Sequence, residues 1–201
     1  MSSETLTVIR WAHRNADSNE VVKLFWEKLC DAVNQKSNAT ADKIYAELRL
    51  YGSNSLRQFD RPEGVTYHEV AKDVADKLAP LLKSSPYGYE TIEACERYVL
   101  EKMDIRASEI EKICAGIGSE GEIVASKEVA GKGVVIGVAM AIAISVAEMI
   151  ALRIASALAG AAVGGVLAVV FLTGPAYRCT IPGVVYVSLL RQMYSASQKG
   201  L

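Results

Sequence analysis

The chain has 201 residues, of which 51% are hydrophobic, and its formal net charge is −1 at neutral pH. The length suits one domain with at most a small appendage, and the charge balance lacks the basic surplus that nucleic-acid-binding proteins show. The charges are unevenly distributed, because residues 131–201 hold five of the 22 Lys and Arg residues and one of the 23 Asp and Glu residues. A polar part is therefore followed by an apolar, weakly basic part.

Two features favour a cytoplasmic protein. The first twenty residues contain no apolar core region and carry acidic residues early, so we expect no secretory signal. Cysteines stand at positions 30, 95, 114 and 179, without a Cys-x-x-Cys motif. Thiols spread in this way are typical of reduced, mostly buried cysteines rather than of a zinc or redox site.

The first 130 residues predict a bundle of four or five helices. Apolar residues recur every three to four positions in the segments 18–33, 40–51, 66–82, 90–103 and 106–118. Asn19 (or Ser18) and Thr40 stand at N-cap positions, and Thr66 with Glu69 forms a capping box. Gly52 is expected to end the second helix. The charge density of this part suits a solvated exterior.

Residues 131–174 are apolar and rich in small side chains, with three charged residues among them. Small residues recur at a spacing of four, which places them along one helix face. One row comprises Gly133, Gly137, Ala141 and Ser145, a parallel alanine row runs from position 139 to position 159, and a later row comprises Gly160, Gly164 and Ala168. Such rows let helices approach closely in bilayers, but alanine-rich helices also pack tightly in soluble proteins.

Length and charge argue against two simple membrane spans. Residues 134–158 would form a helix of roughly 37 Å, enough for a hydrocarbon core of about 30 Å. However, Glu148 and Arg153 would each cost about 2.5–3.5 kcal/mol at the bilayer centre, and residues 161–173 are too short to cross. We therefore expect a helical hairpin that dips into a bilayer, lies at its interface or inserts on demand, with a buried soluble hairpin as the alternative. The flexible tip of this hairpin would be formed by Gly160, Gly164 and Gly165.

The stretch GPAYRCTIPG, at 174–183, ends the apolar run. Tyr177 and Arg178 suit a lipid interface, since a tyrosine ring and an arginine stem are both amphipathic. Alternatively, Arg178 caps the preceding helix or pairs with an acid of the bundle. Pro182 is expected to begin a final helix, with Thr180 as its N-cap, that packs against the bundle. Arg178, Arg191 and Lys199 would hold the trailing end on the cytoplasmic side.

No pattern in the chain predicts catalysis. The two histidines, His13 and His68, belong to no metal-ligand or nucleophile motif, and no phosphate-binding loop follows a strand. The Glu-x-x-His pairs of di-metal bundles are absent as well. We therefore expect a protein that is not an enzyme and has no catalytic residue, metal or cofactor.

Three stretches carry a resemblance to a known family. AELRLYGSNSLRQF at 46–59, VTYHEVAKDVADKL at 65–78 and GPAYRCTIPGVVYVSLLRQM at 174–193 together resemble the YaaW-like family of uncharacterised bacterial proteins. That family is grouped at long range with the ubiquinol–cytochrome c reductase assembly chaperones. Its first motif has a Gly-Gly-Asn-Ser turn; here Gly52, Asn54 and Ser55 match that turn and Ser53 replaces the second glycine. The resemblance implies a mainly helical protein and, through the chaperone grouping, a role in membrane-protein assembly.

The sequence thus predicts an all-α protein, with a polar helical bundle at 1–130 and an apolar helical hairpin plus a final packed helix at 131–201. The predicted function is a non-enzymatic, membrane-associating protein of the membrane-active or pore-forming type, peripheral to or partly inserted at the inner face of the membrane. The first alternative is a chaperone-like adaptor that binds apolar helices of membrane-protein clients. The second is a soluble, self-associating structural protein. The expected partners are accordingly membrane lipid, a client helix or a second copy of the chain, and not a nucleic acid.

Overall fold

The structure is a computed structural model that describes residues 2–52, 64–78, 91–115, 136–144, 146, 148 and 175–199. Its described secondary structure is helical throughout, which confirms the predicted all-α fold. The helices are α1 (Ser2–Asn15), α2 (Glu20–Ala32), α3 (Ala41–Gly52), α4 (Tyr67–Leu78), α5 (Ile92–Lys102), α6 (Ala107–Ala115), α7 (136–144) and α8 (Pro175–Lys199).

The predicted N-caps are confirmed. The side-chain oxygen of Asn19 accepts hydrogen bonds from two amide groups in the first turn of α2, at 3.0 and 3.1 Å. At the start of α4, the Thr66 amide donates to Glu69 Oε2 at 2.7 Å, and the Glu69 amide donates to Thr66 Oγ1 at 3.2 Å. Thr40 Oγ1 accepts from the Lys43 amide at 3.3 Å. These bonds satisfy amide groups that a helix start leaves without intrahelical partners.

Helix α1 is a feature that the sequence analysis missed. Its buried residues are Thr5, Val8, Ile9, Trp11 and Ala12. This spacing is the helical pattern of an amphipathic segment, but it includes a polar residue and lies among charged neighbours. The described part of residues 1–130 therefore holds six helices rather than the predicted four or five.

Helix α8 lies at the centre of the bundle and contacts each of α1 to α6. Every residue from 182 to 191 is buried. On two sides its aromatic residues meet rings of other helices: Tyr186 stacks on Phe25 of α2, and Tyr194 meets the edge of Trp11 of α1. A helix that is surrounded by others needs no polar face, which accounts for the nearly continuous apolar run in this part of the sequence. The predicted packing of the final helix against the bundle is confirmed.

The predicted start of this final helix is wrong. Helix α8 begins at Pro175, so Pro182 lies inside it and Thr180 is not an N-cap. A proline inside a helix removes one hydrogen bond and costs about 3 kcal/mol. Both Pro182 and Thr180 are buried against the surrounding helices, and we attribute the continuation of the helix to this packing. Pro175 instead takes the first helical position, where the missing N–H group costs nothing.

Within the described residues, no helix combines the length and the apolarity that crossing a bilayer requires.

The four cysteines are free thiols, and their burial predicts low reactivity. Burial raises the pKa of Cys30 to about 12 and those of Cys95 and Cys114 to about 11. Because the thiolate is the reactive form, we expect the native chain to react slowly with Ellman's reagent at about pH 8, with the half-buried Cys114 reacting first. The denatured chain should react fully, and fast reaction of all four thiols before denaturation would contradict the buried positions.

Two glycines predict opposite effects of substitution by alanine. Gly64 has φ of +76°, and a Cβ there would lie 2.8 Å from the backbone carbonyl of Arg49. Gly64→Ala should therefore lower the free energy of unfolding by at least about 1–2 kcal/mol. Gly137 is helical, and a Cβ there would meet no atom within 4 Å beyond its chain neighbours and the backbone of its own helix. Gly137→Ala should raise stability by about 0.5–1 kcal/mol, and urea denaturation of both variants measures the contrast.

Candidate interaction surface on the apolar segment

The apolar segment enters the described structure as α7, which has one face in the core and one in solvent. The buried side of this helical region consists of Ala139, Ile142, Ala143 and Val146. On the opposite side, Met140 and Ile144 are 45% and 52% exposed, and they are the exposed large hydrophobic residues of the described structure. Their spacing of four places them one helical turn apart on the same face. The exposed face therefore carries two large apolar side chains that the bundle does not cover.

The small residues of the segment divide between these faces. Ala139 and Ala143, from the parallel alanine row, pack into the core, whereas Gly137 and Ala141 are exposed. Apart from its chain neighbours and the backbone of its own helix, no atom lies within 4 Å of where a Cβ of Gly137 would be. Gly137 and Ala141, the described members of the row that begins at Gly133, are thus exposed to solvent and not covered by the bundle. The use of this row by a partner helix or a bilayer stays a prediction.

Two adjoining grooves lie along α2, and the smaller one borders α7. The smaller groove, of about 210 Å³, lies between α2 and α7 and has Val21, Leu24 and Ile136 among its apolar lining residues. The larger groove, of about 490 Å³, is lined by residues of α1, of the turn between α1 and α2, of α2 and of the chain that follows α2, Trp26 among them. Lys23 and Glu27 line both grooves, so the two form one continuous surface. We call this surface, together with the exposed side of α7, the α2–α7 surface.

The residues of the predicted elbow lie in the first turns of α8. The Tyr177 hydroxyl donates a hydrogen bond to Asp73 Oδ2 of α4 at 2.9 Å, and burial together with this bond raises the pKa of Tyr177. Arg178 is exposed and forms no ion pair with another described residue. Thr180 is 2% exposed, and its hydroxyl oxygen has no described hydrogen-bond partner. The structure therefore attaches Tyr177 to the bundle and leaves Arg178 in solvent.

Gly52, from the predicted family turn, is the last residue of α3. The remaining predicted site residues lie outside the described residues: Gly133, Ser145, Gly160, Gly164, Gly165, Ala168, Asn54 and Ser55. Their assigned roles stay predictions.

The most prominent polar feature is a buried network that the sequence analysis did not predict. Arg191 donates through Nε to Glu96 Oε2 at 2.8 Å and through Nη2 to Thr5 Oγ1 at 2.8 Å. The Tyr67 hydroxyl donates to the other Glu96 oxygen at 2.8 Å, and Arg191 Nη1 lies 3.3 Å from Glu4 Oε1. Side chains of α1, α4, α5 and α8 are thereby joined around one guanidinium group. The expectation that Arg191 holds the chain end at a membrane is wrong, because this side chain is 6% exposed.

The protonation of the network follows from burial and from the ion pair. Burial raises the pKa of the Glu96 carboxyl, while Arg191 and the hydrogen bond from Tyr67 act to lower it. Burial acts to lower the pKa of Arg191, but the adjacent Glu96 carboxylate outweighs it, so that this pKa is raised. Burial also raises the pKa of Tyr67 well above its ordinary value. Tyr67 and Arg191 therefore keep the protons that they donate, and the arrangement serves to hold four helices together.

The described residues offer no arrangement for metal chemistry. No three side chains of the His, Cys, Asp and Glu types come together there in a way that could hold a metal ion. His13 meets the Trp26 ring edge-on, with 5.0 Å between the ring centroids. The exposed apolar side chains and the adjoining groove make the α2–α7 surface a candidate interaction site.

Comparison with known proteins gives a partial match. No protein-family model matches the chain, and no solved structure matches it. A UPF0174 protein of Helicobacter pylori strain J99 is 42% identical over 57 residues, which are 26% of this chain and 22% of that protein. The chain thus spans about a fifth of the length of the curated relative that it matches. The YaaW-like resemblance stays a prediction.

The buried network predicts a large and selective loss of stability. Glu96→Ala should lower the free energy of unfolding by about 3–5 kcal/mol, because it leaves the Arg191 charge buried without its partner. The double variant Glu96→Leu with Arg191→Met should lose less than the sum of the two single variants, as coupled residues do. Urea denaturation followed by circular dichroism measures these values.

The exposed ion pair between Arg10 and Asp42 provides the control. Its atoms are 2.6 Å apart, but its side chains are 52% and 61% exposed. Arg10→Ala should therefore cost less than about 1 kcal/mol. Equal losses for the exposed and the buried pair would contradict the role assigned to the network.

Proposed function

We propose that this chain is a non-enzymatic helical protein that associates, through its apolar segment, with membranes or with apolar helices of membrane-protein partners. The observation that carries the proposal is the exposed side of α7, where Met140 and Ile144 are about half exposed on a helix whose other side belongs to the core. Single exposed hydrophobic residues are common on protein surfaces. Here, however, the two lie beside an apolar groove and a row of small residues, and contiguous apolar surface of this kind marks interaction sites.

The membrane candidate is supported by this exposure and by the composition of residues 131–174. Burying the exposed halves of Met140 and Ile144 would contribute about 0.7–1.5 kcal/mol each, half of the value for a fully buried side chain. That amount suits a reversible attachment at an interface, peripheral or partly inserted at the cytoplasmic face of the membrane. Insertion of the rest of the apolar segment would add to this attachment.

The adaptor candidate is supported by the shape of the same surface. Gly137 and Ala141 are open to solvent, and small residues allow two helix backbones to approach closely. The groove between α2 and α7 offers an apolar channel beside them. A client helix, or α7 of a second copy of this chain, could lie in that position. The resemblance to the YaaW-like family, through the long-range grouping of that family with assembly chaperones, agrees with a client helix.

Substitution of the two exposed side chains tests the proposal. Met140→Ser with Ile144→Ser should weaken association roughly 10- to 100-fold, because about 1.5–3 kcal/mol of apolar burial is lost. The measurements are flotation with liposomes and co-purification of membrane proteins from detergent extracts. The two readouts distinguish the membrane candidate from the adaptor candidate.

A matched control is available on α5. Arg97 and Glu101 are exposed at the same spacing of four, and their joint replacement by serine leaves the net charge unchanged. This control variant should associate like the original chain. A full-length chain that stays monomeric, floats with no liposome and retains no partner would overturn the proposal.

A further inference from the structure

We propose that the α2–α7 surface binds a cationic amphipathic helix of a partner protein. This inference rests on the proposed function, since it uses the same exposed side of α7. It goes further by selecting, from the charges around that side, a protein helix rather than an anionic bilayer as the occupant.

The charges that border the α2–α7 surface are mainly negative. Glu20 and Glu27 line the smaller groove, Asp17 lines the larger one, and among the described residues Lys23 is the one lysine or arginine lining either of them. Glu148 is exposed and continues the exposed side of α7, four residues beyond Ile144. Among the described residues that line the grooves or continue the exposed side of α7, four carboxylates stand against one ammonium group, a net charge of −3.

These carboxylates are not neutralised within the described structure. None of the four forms an ion pair with another described residue, although ion pairs such as that of Arg10 with Asp42 form elsewhere on the surface. Asp17, Glu20 and Glu148 are exposed, and Glu27 is partly buried. They are therefore available to cations of a docked molecule, and such complementary charges both attract and orient a partner.

An anionic bilayer fits this charge pattern poorly. The cytoplasmic leaflet carries a negative surface potential that attracts basic segments, so the same potential opposes the approach of a carboxylate-bordered face. A helix bound in a groove inserts apolar residues at positions i, i+3 or i+4, and i+7. The partly buried Leu24 and Ile136 would contact these residues, beside the exposed Met140 and Ile144. Lysine or arginine residues on the flanks of the bound helix would then meet the carboxylates.

A pair of model peptides tests the inference with the full-length chain. Both are fluorescein-labelled helices of about 14 residues with leucine on one face, and the remaining positions are lysine in one and glutamate in the other. Fluorescence anisotropy should show the lysine peptide binding at least about tenfold more tightly than the glutamate peptide. Raising the salt concentration from about 0.05 M to about 0.5 M should weaken the lysine peptide's binding, because salt screens exposed charges.

Two variants separate the contributions of the carboxylates and of the exposed apolar side chains to peptide binding. Glu20→Gln with Glu27→Gln should weaken binding of the lysine peptide about two- to tenfold, as removal of two exposed charge pairs does. Met140→Ser with Ile144→Ser should weaken it about tenfold or more. The control variant Arg97→Ser with Glu101→Ser should bind the peptide unchanged, and unaltered circular dichroism spectra show that each variant is folded.

Each contrary result overturns the inference in a recognisable way. Equal affinity for the two peptides, or no effect of the glutamate substitutions, would remove the charge argument. Displacement of the lysine peptide from the chain by mixed phosphatidylcholine–phosphatidylglycerol vesicles that themselves bind the chain would show that a bilayer is the preferred occupant. Vesicle binding without peptide binding would overturn this inference and leave membrane association standing. Absence of binding to either peptide and to vesicles would contradict the proposed function as well.

Discussion

The buried contact between Arg191 and Glu96 fixes how the central helix sits in the bundle. From 184 to 190, α8 presents mainly apolar side chains on all sides, so hydrophobic burial alone distinguishes poorly between rotations of this helix about its axis. The Arg191 guanidinium group fixes the rotation of α8 about its axis, because its hydrogen bonds to Glu96 and Thr5 are satisfied in one orientation of the helix only. A buried ion pair gains little net stability over apolar packing. Its contribution here is to select one arrangement of α8 against α1, α4 and α5.

The central position of α8 determines which side of α7 is buried and which stays exposed. The six helices before residue 116 all contact α8, and α7 adds Ala139 and Ile142 to the same core, followed by Val146 just beyond its end. Since the small alanines allow α7 to approach closely on that side, the larger Met140 and Ile144 are left outside. In the described part of residues 131–201, the apolar side chains therefore divide between a core that the bundle encloses and a surface that it leaves exposed.

The sequence predicted the parts of the fold that depend on local pattern. The all-α class followed from helical periodicity, and the N-caps at Asn19, Thr40 and Thr66 followed from side chains that bond to nearby amides. The continuation of α8 through Pro182 could not be predicted in this way, because it depends on burial by helices far away in the chain. The network was partly visible, since Arg191 interrupts an apolar run and Glu96 stands among apolar residues. Nothing local, however, indicated that they meet.

The candidate surface was predictable in composition but not in orientation. Two parallel rows of small residues run along the apolar segment, and their spacing does not say which row faces the bundle. The structure assigns Ala139 and Ala143 to the core and leaves Gly137 and Ala141 open. Three of the four carboxylates around that surface, two of them in α2, come from more than a hundred residues earlier, and no sequence pattern joins them to it.

The place of α8 in the chain has a consequence for biosynthesis. Ribosomes release a polypeptide from its N-terminus, and domains fold as their parts emerge. Helices α1 to α6 leave the ribosome well before α8, the helix that they all contact. Until α8 has been synthesised, the apolar side chains that pack against it have no partner. During this interval we expect the nascent chain to expose apolar surface to which chaperones bind. A chain truncated before residue 175 would lack the helix around which the others pack.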